Sequence, residues 1–122
     1  MFSFVPLSIM ENEVFELLVD DRELKSQTAR KLFTLGVRLK TQRLDVGDFI
    51  VSERIVVERK TMADFEASII DGRLFQQALS LRQCFSSPMI AVIGNNKVVR
   101  IKESAFLGAV FSLMLDLRVP IL

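Results

Sequence analysis

The sequence predicts an α/β domain, a mixed β-sheet with helices on both faces. Three observations point there. Short apolar runs suited to strands alternate with stretches whose apolar residues recur at the helical period. Two of the runs, Val46–Val51 and Ile55–Glu58, are separated by Ser52-Glu53-Arg54 alone, which calls for an antiparallel hairpin in the middle of the order. The chain has 122 residues, half of them apolar and a quarter charged, which suits one globular domain with a sizeable core.

Residues 1–13 read as an N-terminal arm. They are apolar at first but lack a basic n-region, and Glu11 and Glu13 follow at once, so they do not resemble a signal peptide. The folded domain is expected over 14–122. Val14–Val19 suits a buried strand that ends in Asp20-Asp21-Arg22-Glu23, where the chain should emerge into solvent or a cleft. Ser26 can cap a helix running to Leu35, with Ala29, Leu32, Phe33 and Leu35 as its apolar face and Gly36 at its end. Val37–Leu44 begins with the alternation of an edge strand.

The hairpin comes next. An antiparallel register centred on Glu53 sets Asp48 opposite Glu58. Glu58 and Lys60 then share one face of their strand and Arg59 points to the other, an arrangement that a one-residue slip would destroy. Thr61-Met62-Ala63-Asp64 resembles a capping box and opens a helix with Phe65 and Ile69 on one side, ended or bent by Gly72. Arg73–Phe85 continues as helix on Leu74, Phe75, Ala78, Leu81 and Phe85, and Ser86-Ser87-Pro88 stops it. Met89–Ile93 is an apolar strand, Gly94-Asn95-Asn96 a turn, and Val98–Ile101 a further short strand or extended piece. Glu103–Leu117 is a strongly apolar helix, and Val119–Leu122 reads as the start of another strand.

Composition narrows the chemistry. No run of eighteen apolar residues occurs, so no membrane helix and no membrane partner are expected. Cys84 is the single cysteine, which excludes an internal disulfide and a cysteine-clustered zinc site and favours an intracellular compartment. A net charge of +1 does not announce a nucleic-acid binder, so any DNA contact must come from a local patch or another module. The chain has no histidine, which removes histidine acid–base chemistry and histidine-ligated metals. A catalytic metal would have to sit among oxygens, as Mg2+ or Mn2+ does.

Asp48, Glu58 and Lys60 stand in apolar strands that rarely accept charges without a purpose. Hydrolysis of a phosphodiester needs a water nucleophile, charge neutralisation at the phosphate and help for the leaving oxygen, all of which a divalent cation on carboxylates supplies. Asp48 and Glu58 would be its ligands, with Asp20 as a further ligand or the holder of a metal-bound water. Lys60 would position the attacking water and stabilise charge. Arg22 can reach a phosphate or pair with Asp20 or Glu23, and Arg59 can pair with Asp64 or face DNA. The alternative is a set of solvated strand ends on a small binding domain.

These residues carry a resemblance. Val46-Gly47-Asp48, Glu58-Arg59-Lys60 and Asp64 resemble the GDx(n)ERKxxxD signature of the XPF-type structure-specific endonucleases, the archaeal Hef-type nucleases above all. Asp20, Arg22 and Glu23 resemble the DxRE element of that family, and Ser68–Leu74 with Gln77 its SIxDGRLxxQ segment. The resemblance runs from about Val19 to Leu122. It implies a restriction-nuclease-like PD-(D/E)xK fold and Mg2+- or Mn2+-dependent cleavage of branched DNA (flaps, forks and splayed arms) in repair or fork processing. Asp20, Asp48, Glu58 and Lys60 would form the active centre, supported by Arg22, Glu23, Arg59 and Asp64, with Arg22, Arg59 and Arg73 facing DNA. It implies a homodimer, or a heterodimer with a related nuclease-fold subunit, through Phe106, Val110, Phe111 and Leu113. It implies location in the cytoplasm of an archaeon or the nucleus of a eukaryote. Two departures are expected to matter: the helix-hairpin-helix module that follows in relatives is absent, and Ile93 stands where relatives often carry an acid. A catalytically weak scaffold that positions a nuclease partner is the competing expectation, and the presence of Asp48, Glu58 and Lys60 argues against it.

Overall fold

The apolar runs assemble into one sheet in a computed structural model that describes residues 16–94, 97–98 and 100–122. Its strands are β1 (Glu16–Asp20), β2 (Arg38–Gln42), β3 (Phe49–Ile50), β4 (Ile55–Thr61) and β5 (Ser87–Ile93), in the order β2-β1-β3-β4-β5. β1 runs parallel to β2 and antiparallel to β3, and β4 runs antiparallel to β3 and parallel to β5. The helices are α1 (Gln27–Thr34), α2 (Met62–Ile70), α3 (Leu74–Cys84) and α4 (Glu103–Leu115). The N-terminal arm, the start of the first strand at Val14 and the turn at Asn95-Asn96 lie outside the described residues.

Strand alternation sends side chains to two cores. Val56 and Ile90 pack with Phe65 of α2, Leu74, Ala78 and Leu81 of α3, and Leu113 of α4. Val19 and Phe49 pack with Ala29 of α1 on the opposite face. Helices thus cover both faces, as the sequence implies. Phe65 is fully enclosed and meets Phe106 edge-on at 5.5 Å between ring centroids; burial of such a ring is worth roughly 2–3 kcal/mol.

The helix ends follow their predicted chemistry. The Ser26 hydroxyl accepts the Ala29 N–H at 3.1 Å, and the Thr61 hydroxyl accepts the Asp64 N–H at 3.1 Å. Gly72 adopts φ +73° and lets the Arg73 N–H return to the Ser68 carbonyl at 2.9 Å, closing α2 and starting α3 at once.

The hairpin register is the expected one: Phe49 pairs with Val57 and Ile50 with Val56, centred on Glu53. Two boundaries differ. β5 begins at Ser87, not Met89, because the Ser87 N–H donates to the Arg54 carbonyl at 2.8 Å, while neighbouring Pro88, which has no N–H, turns that side to the outer edge. α4 stops at Leu115, short of Leu117; Arg118 takes φ +55° and the Val119 N–H closes on the Leu113 carbonyl at 2.9 Å. Val98, Arg100 and Ile101 lie in no strand. The C-terminal segment does extend the sheet: Ile121 bridges Ile90 in parallel, and the Leu122 N–H donates to the Ile90 carbonyl at 2.9 Å.

One expectation needs correction. Of the four residues expected at a dimer contact, Leu113 is 0% exposed and sits in the core, and Phe106 and Val110 pack against it. Phe111 alone points outward, at 55% exposure, beside Leu107, Met114 and Leu115. The apolar residues of α4 surround the helix, so sequence spacing could not say which side met the sheet.

Candidate active site

Asp20, Asp48 and Glu58 stand on or beside three adjacent strands. The Asp20 N–H donates to the Asp48 carbonyl at 2.9 Å, and the hairpin register carried one step beyond Phe49 sets Asp48 opposite Glu58. Gly47 brings the chain there. It adopts φ +76°, and a Cβ at this position would lie 2.2 Å from a methyl group of Val56, so only glycine fits. The Asp48 carboxylate accepts the Arg59 N–H at 2.7 Å through Oδ2. A side chain thereby takes a backbone donor of β4, which fixes the carboxylate between β3 and β4.

A cavity of about 410 Å3 opens over these residues, lined also by Arg22, Glu23, Leu44–Gly47, Gln77, Ser80 and Leu81. At one end Asp20, nearly inaccessible, accepts hydrogen bonds from Arg22 Nε (2.8 Å), Arg22 Nη2 (3.0 Å), the Arg22 N–H (3.1 Å) and the Leu44 N–H (2.8 Å). The Arg22 guanidinium, with those amides, holds its carboxyl well below the usual carboxylate range against the opposing effect of burial.

The other end is different. Glu58 Oε2 and Gln77 Oε1 are buried and have no hydrogen-bond partner among the described residues. Burial pushes the Glu58 carboxyl up, the Asp48 charge adds to the rise, and Lys60 offsets part of it. Asp48 is also pushed up, first by burial, against the Arg59 amide that favours its charged form. Two carboxyls whose charged forms burial disfavours, one with an oxygen that has no donor among the described residues, match what hard oxygen ligands show when a cation is their natural complement. Asp20 does not join them, since its oxygens already serve Arg22 and Leu44. Accordingly, no group of three or more carboxylates gathers closely enough to clasp one ion among the described residues.

Of the remaining expected residues, Arg22 and Glu23 line this cavity, and Lys60, Arg59, Asp64 and Arg73 do not. Lys60 follows Glu58 on the same face of β4, as predicted. Arg59 points away and grips Glu23 through Nε–Oε1 and through Nη2–Oε2 at 3.2 Å; Asp64 acts on it from further off. Arg22 has chosen Asp20 from its two possible partners and also reaches the Leu44 carbonyl at 3.0 Å. Arg73, outside the cavity, pairs with Asp71 at 3.1 Å, both largely exposed. Sequence reasoning missed the Leu44 amide, which no side-chain identity could reveal, and Ser80, which lies one helical turn from Gln77. Gln77 carried a signal in its place within the SIxDGRLxxQ segment. Elsewhere, buried Glu66 accepts the Arg100 N–H at 3.3 Å.

Known proteins resemble this chain over the span that holds the cavity. The ERCC4 domain model matches residues 19–122, a span that includes every residue of the cavity. The chain belongs to the ERCC4 domain family. Among relatives of this ERCC4 domain, MJ1505 of Methanocaldococcus jannaschii, named for ATP-dependent RNA helicase activity, is 40% identical over 107 residues, covering 88% of this chain and 13% of that protein. The 3′-flap repair endonuclease Xpf of Saccharolobus solfataricus is 31% identical over 111 residues, 88% of this chain and 48% of the relative. The chain therefore spans less than half the length of these relatives. XPF from Aeropyrum pernix in complex with DNA superposes with a TM-score of 0.83 at 37% identity, covering 88% of this chain and 55% of that one. The ERCC4 domain thus has the restriction-nuclease-like α/β fold that the sequence implied. No helix among its described residues is long and apolar enough to cross a membrane.

Proposed function

We propose that this ERCC4 domain is the catalytic part of an endonuclease that cuts branched DNA at flaps, forks or splayed arms with Mg2+ or Mn2+. The observation that carries the reading is the donor-poor end of the cavity, where Glu58 Oε2, beside Asp48, lacks a partner among the described residues. The name of the Saccharolobus relative, a 3′-flap repair endonuclease, and the DNA complex of the Aeropyrum structure support this substrate class.

Asp48 and Glu58 would hold the cation. When bound, it supplies charge neutralisation at the scissile phosphate and a more acidic water. Lys60, next along the same face, orients the attacking water and stabilises charge on the phosphate. The hydrogen bonds that saturate Asp20 support a positioning role in place of ligation: it fixes Arg22 and the Leu44 loop at the rim. Glu23 and Asp64 hold Arg59 behind the strand, so Arg59 supports the site, while Arg22, held by Asp20 and more than half exposed, faces DNA and Arg73, also more than half exposed, exchanges its carboxylate partner for a DNA phosphate. The outward strip Leu107, Phe111, Met114 and Leu115 is the surface for a second copy or a related nuclease-fold subunit. Such a protein works inside the cell, in archaeal cytoplasm or a eukaryotic nucleus.

The test is cleavage of a labelled fork beside plain duplex. Wild type should cut the fork with Mg2+ or Mn2+ and stop on chelation, and Asp48→Asn or Lys60→Ala should lose about 100-fold or more in rate with unchanged circular dichroism. Wild-type cleavage by either variant would remove these roles. Sedimentation of the same samples should show a dimer that Phe111→Asp dissociates.

A further inference from the structure

Gln77 belongs to the stripe of α3 that faces the sheet. Leu74, Ala78 and Leu81 of that stripe are buried, and Gln77 lies three residues from the first and four from the last. A polar amide at the edge of a core stripe needs a partner. Its Oε1 is buried without one among the described residues and lines the same cavity as Glu58, whose Oε2 is in the same condition. While Glu58 is ionised both oxygens are acceptors only, and they cannot satisfy each other. A cation satisfies both, and amide oxygens are ordinary ligands of hard divalent ions.

We propose that Gln77 supplies a neutral third oxygen ligand to the divalent cation held by Asp48 and Glu58, reaching it from the helix while the carboxylates reach it from the sheet. This rests on the cation reading given above. The neutrality of the ligand is chemically sensible. A third carboxylate would add a like charge beside Asp48 and Glu58, whereas an amide oxygen adds coordination without repulsion. It also gives α3 a reason to follow α2 so closely: the turn at Gly72 sets the helix over the cavity.

Mn2+ binding to the full chain, followed by titration calorimetry and by the spin resonance of bound Mn2+, tests it without reference to cleavage. Wild type and the control Gln76→Ala, on the exposed side of α3, should bind alike. Gln77→Ala should bind about tenfold more weakly or worse, and Gln77→Glu should bind at least as tightly as wild type, with native circular dichroism in both. Equal binding by wild type and Gln77→Ala would overturn the ligand role and leave the cation reading intact. Equal weakening in Gln77→Ala and Gln77→Glu would also overturn it, showing instead that the amide donates to Glu58. Failure of wild type to bind Mn2+ would remove the cation reading itself, and this inference with it.

Discussion

Asp20 and Glu58 sit at two ends of one cavity, and their surroundings are opposite. Asp20 is surrounded by donors from Arg22 and Leu44 and is held ionised. Glu58 has an oxygen without a donor among the described residues and is pushed toward its neutral form, with Asp48 beside it pushed the same way. Burial acts on all three, so burial does not separate them. The donors do. At the Asp20 end the fold completes its own electrostatics, through a loop amide and an arginine two residues away. At the Glu58 end no donor among the described residues does the same for Glu58 Oε2. One end is saturated with donors, and the proposed cation would act at the other.

The largest effect should come from breaking the completed end. Asp20→Ala strands the buried Leu44 N–H and frees Arg22, at a cost of about 3 kcal/mol in urea unfolding. Glu58→Gln, one strand beyond the neighbour of Asp20, should cost nothing or add stability in the absence of metal, because it removes a charge that burial disfavours. Equal destabilisation by the two variants would show that both ends are structural and would end the contrast.

Metal should act on the second end alone. With Mn2+ at about 100 times its dissociation constant, wild type should gain about 2.7 kcal/mol, which for a domain of this size raises Tm by roughly 10 °C. Glu58→Gln should lose most of that gain. A milder replacement at the first end, Asp20→Asn, should keep most of it from a lower starting Tm. If Asp20→Asn abolished the gain as fully as Glu58→Gln, Asp20 would be a ligand after all.

The contrast also marks what the sequence could show. The hairpin register was legible because Ser52-Glu53-Arg54 leaves one sensible pairing, and it placed Asp48 against Glu58 correctly. The caps at Ser26 and Thr61 were legible because each depends on a local pattern. The inner face of α4 was not, since apolar residues on every side give no direction, and Leu113 was misplaced for that reason. Nor could the sequence separate the surroundings of Asp20 from those of Asp48 and Glu58. That separation depends on the Leu44 N–H, a backbone donor 24 positions away that any residue type would supply. Gly47 stood in the motif, but its reason, the approach to Val56, exists only in three dimensions.

The smallest effect, and the finest test, is pH. In the metal-free protein Asp48 and Glu58 keep their protons to higher pH when folded than when unfolded, where their ordinary values are 3.8 and 4.5. They therefore favour folding below those values, and the contribution is lost as pH rises through their raised folded values. Asp20 runs the other way. Its stabilisation is present above 3.8 and is lost as pH falls toward its lowered folded value. Urea unfolding across about pH 3 to 8 should show both limbs. Asp48→Asn and Glu58→Gln should each flatten the upper limb and leave the lower one; Asp20→Asn should flatten the lower limb and leave the upper. Mn2+ should flatten the upper limb in wild type without any substitution, because a bound cation favours the charged carboxylates that burial opposes. An upper limb that Mn2+ left untouched would mean that the cation does not sit between Asp48 and Glu58.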